Sequence, residues 1–286
     1  MKIDRMEIDD AGANPKRLAE AITKQLGDEP RAVPVRQIAA DIDIYEIREE
    51  PLIGLAGCLI VPENKSEGAI AVDGRMGEER KRYTIGHEIG HYVNPMHRAS
   101  SPEGFKCTRK DMLADAAKPG DGHAKMEVEA NQFAAELLMP DAWIRRFLRR
   151  KVGLDLEHIF EMAALFEVSK EAAARRYLTF AGEPVAVVFS QEGTIRYVKK
   201  TDDFPRLSVW NGQRMPEDCF SMTNGKGRGE ITDVVEAVGH HWLDASRGLS
   251  LGEQTVAQAK GYRMTLLTVE FEQEDEDEWE APRFRR

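Results

Sequence analysis

The chain has 286 residues, 42% hydrophobic and 31% charged, enough to bury a sizeable core and to divide into two domains. Its formal net charge of −10 argues against sequence-independent binding to nucleic acid or to an anionic membrane. No window approaches the roughly eighteen apolar residues of a membrane span, and the first residues lack the apolar stretch of a signal peptide, so a cytoplasmic protein is expected. Cys58, Cys107 and Cys219 show no C-x-x-C spacing and read as ordinary thiols of a reducing compartment.

In chain order, residues 15–26 carry the apolar periodicity of an amphipathic helix and residues 34–40 that of a second short one. Residues 42–47, 56–61 and 68–72 are short strand-like runs separated by Pro, Gly and Asn, a small sheet leading into the next segment. An exposed edge of that sheet could hold an extended peptide by main-chain pairing.

Next comes Y-T-I-G-H-E-I-G-H-Y-V-N, from Tyr83 to Asn94. On a helix His87 and His91 share a face, so both imidazoles can reach one Zn²⁺ while Glu88 polarises a water. The chemistry implied is hydrolysis, most often of a peptide bond. Catalytic zinc takes three protein ligands, so a third must come from elsewhere.

The residues that follow, as far as 125, are rich in Pro, Gly, Ser and charge and read as a long loop with one turn of helix near 111–116. Cys107 could coordinate the metal as a blocking ligand whose oxidation opens the site; the preferred reading packs it beside Phe105. His123 is a further candidate third ligand. Residues 126–140 form a strong helix pattern ended by Pro140, with Glu127 and Glu129 in its opening turn. These two point about 200° apart, so only one faces the histidine helix. Glu127 is preferred, because Asn131 then lies on the same face, where its carbonyl can accept a ligand histidine's free N–H. Glu129 reads as a solvated carboxylate near the helix N-terminus. Tyr83, Tyr92 and His97 are candidate oxyanion stabilisers that the sequence does not rank.

Residues 154–178 resemble the turn and recognition helix of a DNA-binding unit, with Arg175 and Arg176 toward the groove. The apolar face of Leu156, Ile159, Met162, Ala163 and Phe166 and the surrounding glutamates favour a packed helix pair instead. A change of pattern follows: strands at 185–190 and 194–199 joined by Glu192-Gly193 as a hairpin, a short helix at 232–243 and a strand at 264–271. His240 and His241, being adjacent, are expected to point apart rather than to bind a second metal. The acidic run beyond Glu270 and the closing Arg-Phe-Arg-Arg read as a solvated tail.

H-E-I-G-H followed by E-V-E-A-N-Q-F-A-A-E-L-L-M-P resembles the ImmA/IrrE metallopeptidase family, over roughly residues 15–181. The resemblance implies zinc held by His87, His91 and Glu127 in the gluzincin-like manner, with Glu88 as general base. It also implies a regulatory role in gene expression and stress response, exerted by cleaving a DNA-binding repressor of the helix-turn-helix kind. The long stretch between His91 and Glu127 and the extra chain after Ala181 depart from the shortest members.

The expected fold is α+β: a small mixed sheet, the zinc-binding H-E-x-x-H helix, a second helix bearing the glutamate, and a C-terminal α+β domain. Residues 1–180 make the metallopeptidase domain, including a helical segment at 141–180 that resembles a helix-turn-helix; residues 181–286 make an accessory or sensing domain. The rival function is a regulatory or toxin-antitoxin-like binding protein with a structural metal and no proteolysis. A zinc hydrolase of small amides would use the same ligands.

Overall fold

The computed structural model describes residues 2–99, 101, 104–114 and 116–271. The acidic tail lies outside them. The chain falls into two compact units, 1–151 with 160–173 and 152–159 with 174–286.

The first unit opens with three helices: α1 (Arg5–Asp9), α2 (Pro15–Lys24) and α3 (Val35–Asp41). Asn14 caps α2 by accepting from the Arg17 N–H, and Pro15 takes the first helical position, where no amide is needed. Three strands follow, β1 (Ile44–Glu50), β2 (Gly57–Ile60) and β3 (Gly68–Asp73), then the long helix α4 (Glu78–Val93). Glu78 and Glu79 favour its positive N-terminus, and Asn94-Pro95 ends it. Lys65 then secures the last turn: its Nζ donates to the carbonyls of His91 (2.6 Å) and Asn94 (2.8 Å), which the helix leaves without partners.

The stretch after α4 is not only loop. It contains a short strand, β4 (Phe105–Cys107), and a 3-10 turn at Asp111–Leu113. The sheet order is β1-β3-β2-β4, with β1 parallel to β3 and the other pairs antiparallel, so β4 occupies one edge. A three-residue strand bounded by Pro, Ser and Gly gives no alternating pattern to read; pairing with β2 makes it a strand. Helix α5 (Gly122–Leu138) begins one turn earlier than the apolar pattern predicts, because Asp121 caps it by accepting from the Ala124 N–H at 2.9 Å. Then come α6 (Asp141–Leu148), α7 (Leu156–Phe166) and α8 (Lys170–Leu178), the boundary between the units passing through the last two.

The second unit is built on a five-stranded antiparallel sheet, in the order β6-β5-β9-β8-β7. Strands β5 (Val185–Gln191) and β6 (Thr194–Lys200) are joined by Glu192 and Gly193, both at positive φ, the geometry a two-residue hairpin turn requires. A one-turn helix, α9 (Phe220–Thr223), precedes β7 (Val235–Glu236), β8 (Leu249–Ala257) and β9 (Tyr262–Phe271). The helix expected at 232–243 is absent. Val235 and Glu236 pair with β8 and the Thr232 hydroxyl accepts from the Thr255 N–H, so edge pairing overrides the local helical pattern; a 3-10 turn at Gly239–His241 is all that remains. Its His240 and His241 rings do not point apart but meet edge to face, 4.7 Å between centroids. Trp242, Leu251 and Leu267 lie in the core under this sheet.

No helix among the described residues is long and apolar enough to cross a membrane.

Candidate metal centre

Helices α4 and α5 pack closely because α4 carries glycine where they cross. A Cβ on Gly90 would lie 2.9 Å from Phe133 Cδ1 and 3.3 Å from Ala130 Cα, and one on Gly86 3.5 Å from Ala134 Cβ. The close approach brings Glu127 of α5 onto the two histidines of α4. His87 Nε2 and His91 Nε2 are 3.0 Å apart, and the Glu127 carboxyl oxygens stand 3.2 Å from His87 Nε2 and 3.5 Å from His91 Nε2. Donors about 2 Å from a common tetrahedral ion lie roughly 3.3 Å from one another, so the three fit a metal centre. Both Glu127 oxygens face histidine nitrogens, and Oε2, although buried, makes no hydrogen bond of good geometry.

Glu88 is fully buried, and neither of its oxygens has a hydrogen-bond partner of good geometry. Room for it is made by β2: a Cβ on Gly57 would meet Glu88 Oε1 at 2.7 Å and Thr84 Cγ2 at 2.5 Å. Burial pushes the Glu88 carboxyl well above its usual range; the adjacent Cys107 thiol opposes this and the Glu127 charge adds to it. For Glu127 burial acts upward too, but hydrogen bonds with His87 and His91 outweigh it and hold the group well below the usual carboxylate range. Burial lowers His91 to about 3, which keeps its imidazole neutral and available as a ligand.

The rings are held from behind. Asn131 Oδ1 lies 2.9 Å from His87 Nδ1 and also accepts from the Tyr83 hydroxyl at 2.9 Å, while Asn131 Nδ2 donates to the carbonyls of Asp111 and Ala114. His91 Nδ1 lies 3.0 Å from His97 Nδ1, and His97 Nε2 lies 3.0 Å from Glu129 Oε2. Glu129 is therefore not the solvated carboxylate expected of it. It points away from the metal donors, as the 200° offset requires, but meets the loop that leaves α4, where His97 waits. Sequence reasoning missed this pairing; Pro95, which turns the chain back after the helix, was the available signal. Phe105 stacks on the His91 ring, centroids 4.6 Å apart. The Tyr92 hydroxyl accepts from Arg5 instead of facing the donors. His123 is mostly exposed, 3.8 Å from Glu127 Oε1.

The donor cluster has a fourth member. His87, His91, Glu127 and Cys107 each bring a ligand atom within 4.8 Å of the others, and all four residues are buried. Cys107 shares one face of β4 with Phe105, yet it reaches this cluster rather than merely packing.

Residues 60–178 match the family described as Peptidase_M78, IrrE N-terminal-like domain. That segment is similar to the family. The matched region spans α4, α5 and β4, and with them the cluster of donors that could hold a metal ion. A search of curated proteins finds no match. Among solved structures, a Mycobacterium tuberculosis transcriptional regulator is 14% identical over 92% of this chain and 80% of that one, with a TM-score of 0.53, a likeness of fold.

Proposed function

We propose that the chain is a zinc-dependent endopeptidase of regulatory type that cleaves a DNA-binding repressor of the helix-turn-helix kind in the cytoplasm. The observation that carries this reading is the convergence of two imidazoles and one carboxyl on a single buried point, with the Glu88 carboxyl beside it. His87, His91 and Glu127 hold the zinc. When bound, zinc polarises the scissile carbonyl and acidifies water, drawing its pKa toward about 7. Glu88 takes the proton from the attacking water and delivers it to the leaving amine. Its raised affinity for a proton suits both halves of that transfer. Asn131 and His97 fix the ring orientations of His87 and His91 through their Nδ1 atoms. The IrrE-like domain supports the regulatory class, and the transcriptional regulator sharing the fold is in keeping with it.

Glu88→Gln is expected to keep about one zinc per chain while turnover of a cleavable repressor falls on the order of 10²–10⁴-fold; His91→Ala loses both metal and turnover. Metal content by plasma mass spectrometry, with fragments counted by protein mass spectrometry, checks this. Undiminished turnover in Glu88→Gln would sink the assignment. The rival reading, a binding protein with a purely structural metal, draws on the complete burial of His87, Glu88 and His91. It predicts no fragments from any repressor, with the metal retained.

A further inference from the structure

Zinc that works on a substrate needs an open position, whereas structural zinc is closed by four protein ligands. Here the corner left by His87, His91 and Glu127 is filled by the chain itself. We propose that Cys107 is the fourth metal ligand, so that the resting site is latent, closed by a thiolate that stands where the attacking water must enter. The proposal rests on the metallopeptidase reading and adds its regulation.

Three observations converge on it. Cys107 Sγ belongs to one buried group of donors with His87, His91 and Glu127, all within 4.8 Å. The thiol also lies beside the Glu88 carboxyl, whose oxygens otherwise lack partners of good geometry. A general base must sit within hydrogen-bond reach of the water it activates, so the atom beside Glu88 at the metal's fourth corner marks the water's place. Finally, the donors are buried: His87, His91 and Cys107 are 0% exposed and Glu127 2%. One surface cleft of about 480 Å³ is lined by Lys65, His97, Arg98 and Phe105, another of about 410 Å³ by Asp73, Arg75, Thr108 and Arg109. Neither is lined by a donor residue, and residues of β4 or next to it contribute to both.

The strand that carries the thiol is suited to withdrawal. It holds an edge of the sheet, where its three residues pair with Gly57, Cys58 and Leu59 and the Cys107 carbonyl also accepts from the Ala56 N–H at 2.9 Å. Its entry is fixed by Gly104 at φ +109°, where a Cβ would fall 2.0 Å from the Leu59 carbonyl oxygen, so only glycine lets β4 lie this close to β2. Release of β4 removes the sulfur from the metal and frees the β2 edge beside it. Substrate backbone can then pair where β4 had been. One movement opens both the metal and the peptide-binding edge.

The test uses the full chain with cobalt(II) as a spectroscopic probe. Wild type is expected to bind one cobalt with a sulfur-to-cobalt charge-transfer band, and the zinc form to show one sulfur at about 2.3 Å by X-ray absorption. Cys58→Ser and Cys219→Ser keep the band. Cys107→Ser and Cys107→Ala lose it, retain one metal, and gain an exchangeable position: acetohydroxamate shifts their visible spectrum but not that of wild type. If neither variant folds, the wild-type sulfur signal and its indifference to hydroxamate decide alone. One bound metal without sulfur, in a wild type that takes hydroxamate freely, overturns the proposal and leaves the metallopeptidase reading standing. Wild type without metal at this site overturns both.

Discussion

Each unit of this molecule buries a carboxyl group in its core, and the two are treated in opposite ways. In the second unit Glu253, 1% exposed, accepts from the Ser221 N–H at 2.6 Å and from Trp242 Nε1 at 2.9 Å. The hydroxyls of Ser221, Thr255 and Thr265 bond to one another alongside, at 2.7 and 3.2 Å. In the first unit neither Glu88, 0% exposed, nor Glu127 Oε2 makes a hydrogen bond of good geometry. A buried polar group without a hydrogen bond costs about 1–3 kcal/mol, so two such carboxyls side by side in one cluster call for an explanation. The satisfied carboxyl is architecture; the other two lie at the candidate site.

The sharpest way to break this contrast is Glu253→Gln. The two donors meet different carboxylate oxygens, and a carboxamide puts NH₂ in place of one of these, facing a donor, so a loss of about 2–3 kcal/mol in unfolding free energy is expected, with metal content unchanged. Denaturant unfolding beside metal analysis checks it, and a neutral result would remove Glu253 from the architecture.

An intermediate effect is expected behind the metal. His97→Ala takes the partner from His91 Nδ1 and should weaken zinc binding about 10–100-fold, or about 1.4–2.7 kcal/mol. Glu129→Gln should do less. Competition with a chromogenic chelator reads both, and unchanged affinity in His97→Ala would mean that the ring is fixed by stacking on Phe105 instead.

The smallest effect has the opposite sign to the first. Without metal, Glu88→Gln should raise stability by about 1 kcal/mol, because it replaces a buried acid whose charged form finds no partner. Burial raises the folded Glu88 above its unfolded value, so over that interval the unfolded chain binds fewer protons and metal-free stability falls as pH rises. Glu88→Gln should flatten that fall. Thermal melts of chelator-treated protein across the acidic to neutral range give the comparison; an equally steep fall in the variant would place the titration elsewhere.

The residues show which parts of the site could be read in advance. His87, Glu88 and His91 were legible because five residues on one helix fix their own relative directions. The choice of Glu127 over Glu129 was a matter of 200° around α5, again local geometry. Cys107 was visible only as an alternative, because the strand that carries it is too short to announce itself and exists through pairing with β2. Gly57 gave no signal at all: its need for glycine comes from Glu88 and Thr84, side chains of a different element. The missing helix at 232–243 failed for the same reason in reverse, a local pattern overruled by the edge of a sheet.

By itself the sequence determined the two-histidine helix, the glutamate helix and the α+β class, since periodicity and capping act within one or two turns of chain. Only the tertiary structure decided that His97 meets Glu129, that Gly57 makes room for Glu88, and that Cys107 joins His87, His91 and Glu127 in one cluster. Those contacts join elements separated by long loops, and closing a loop is governed by the packing of the whole unit, a quantity that no short window of residues contains.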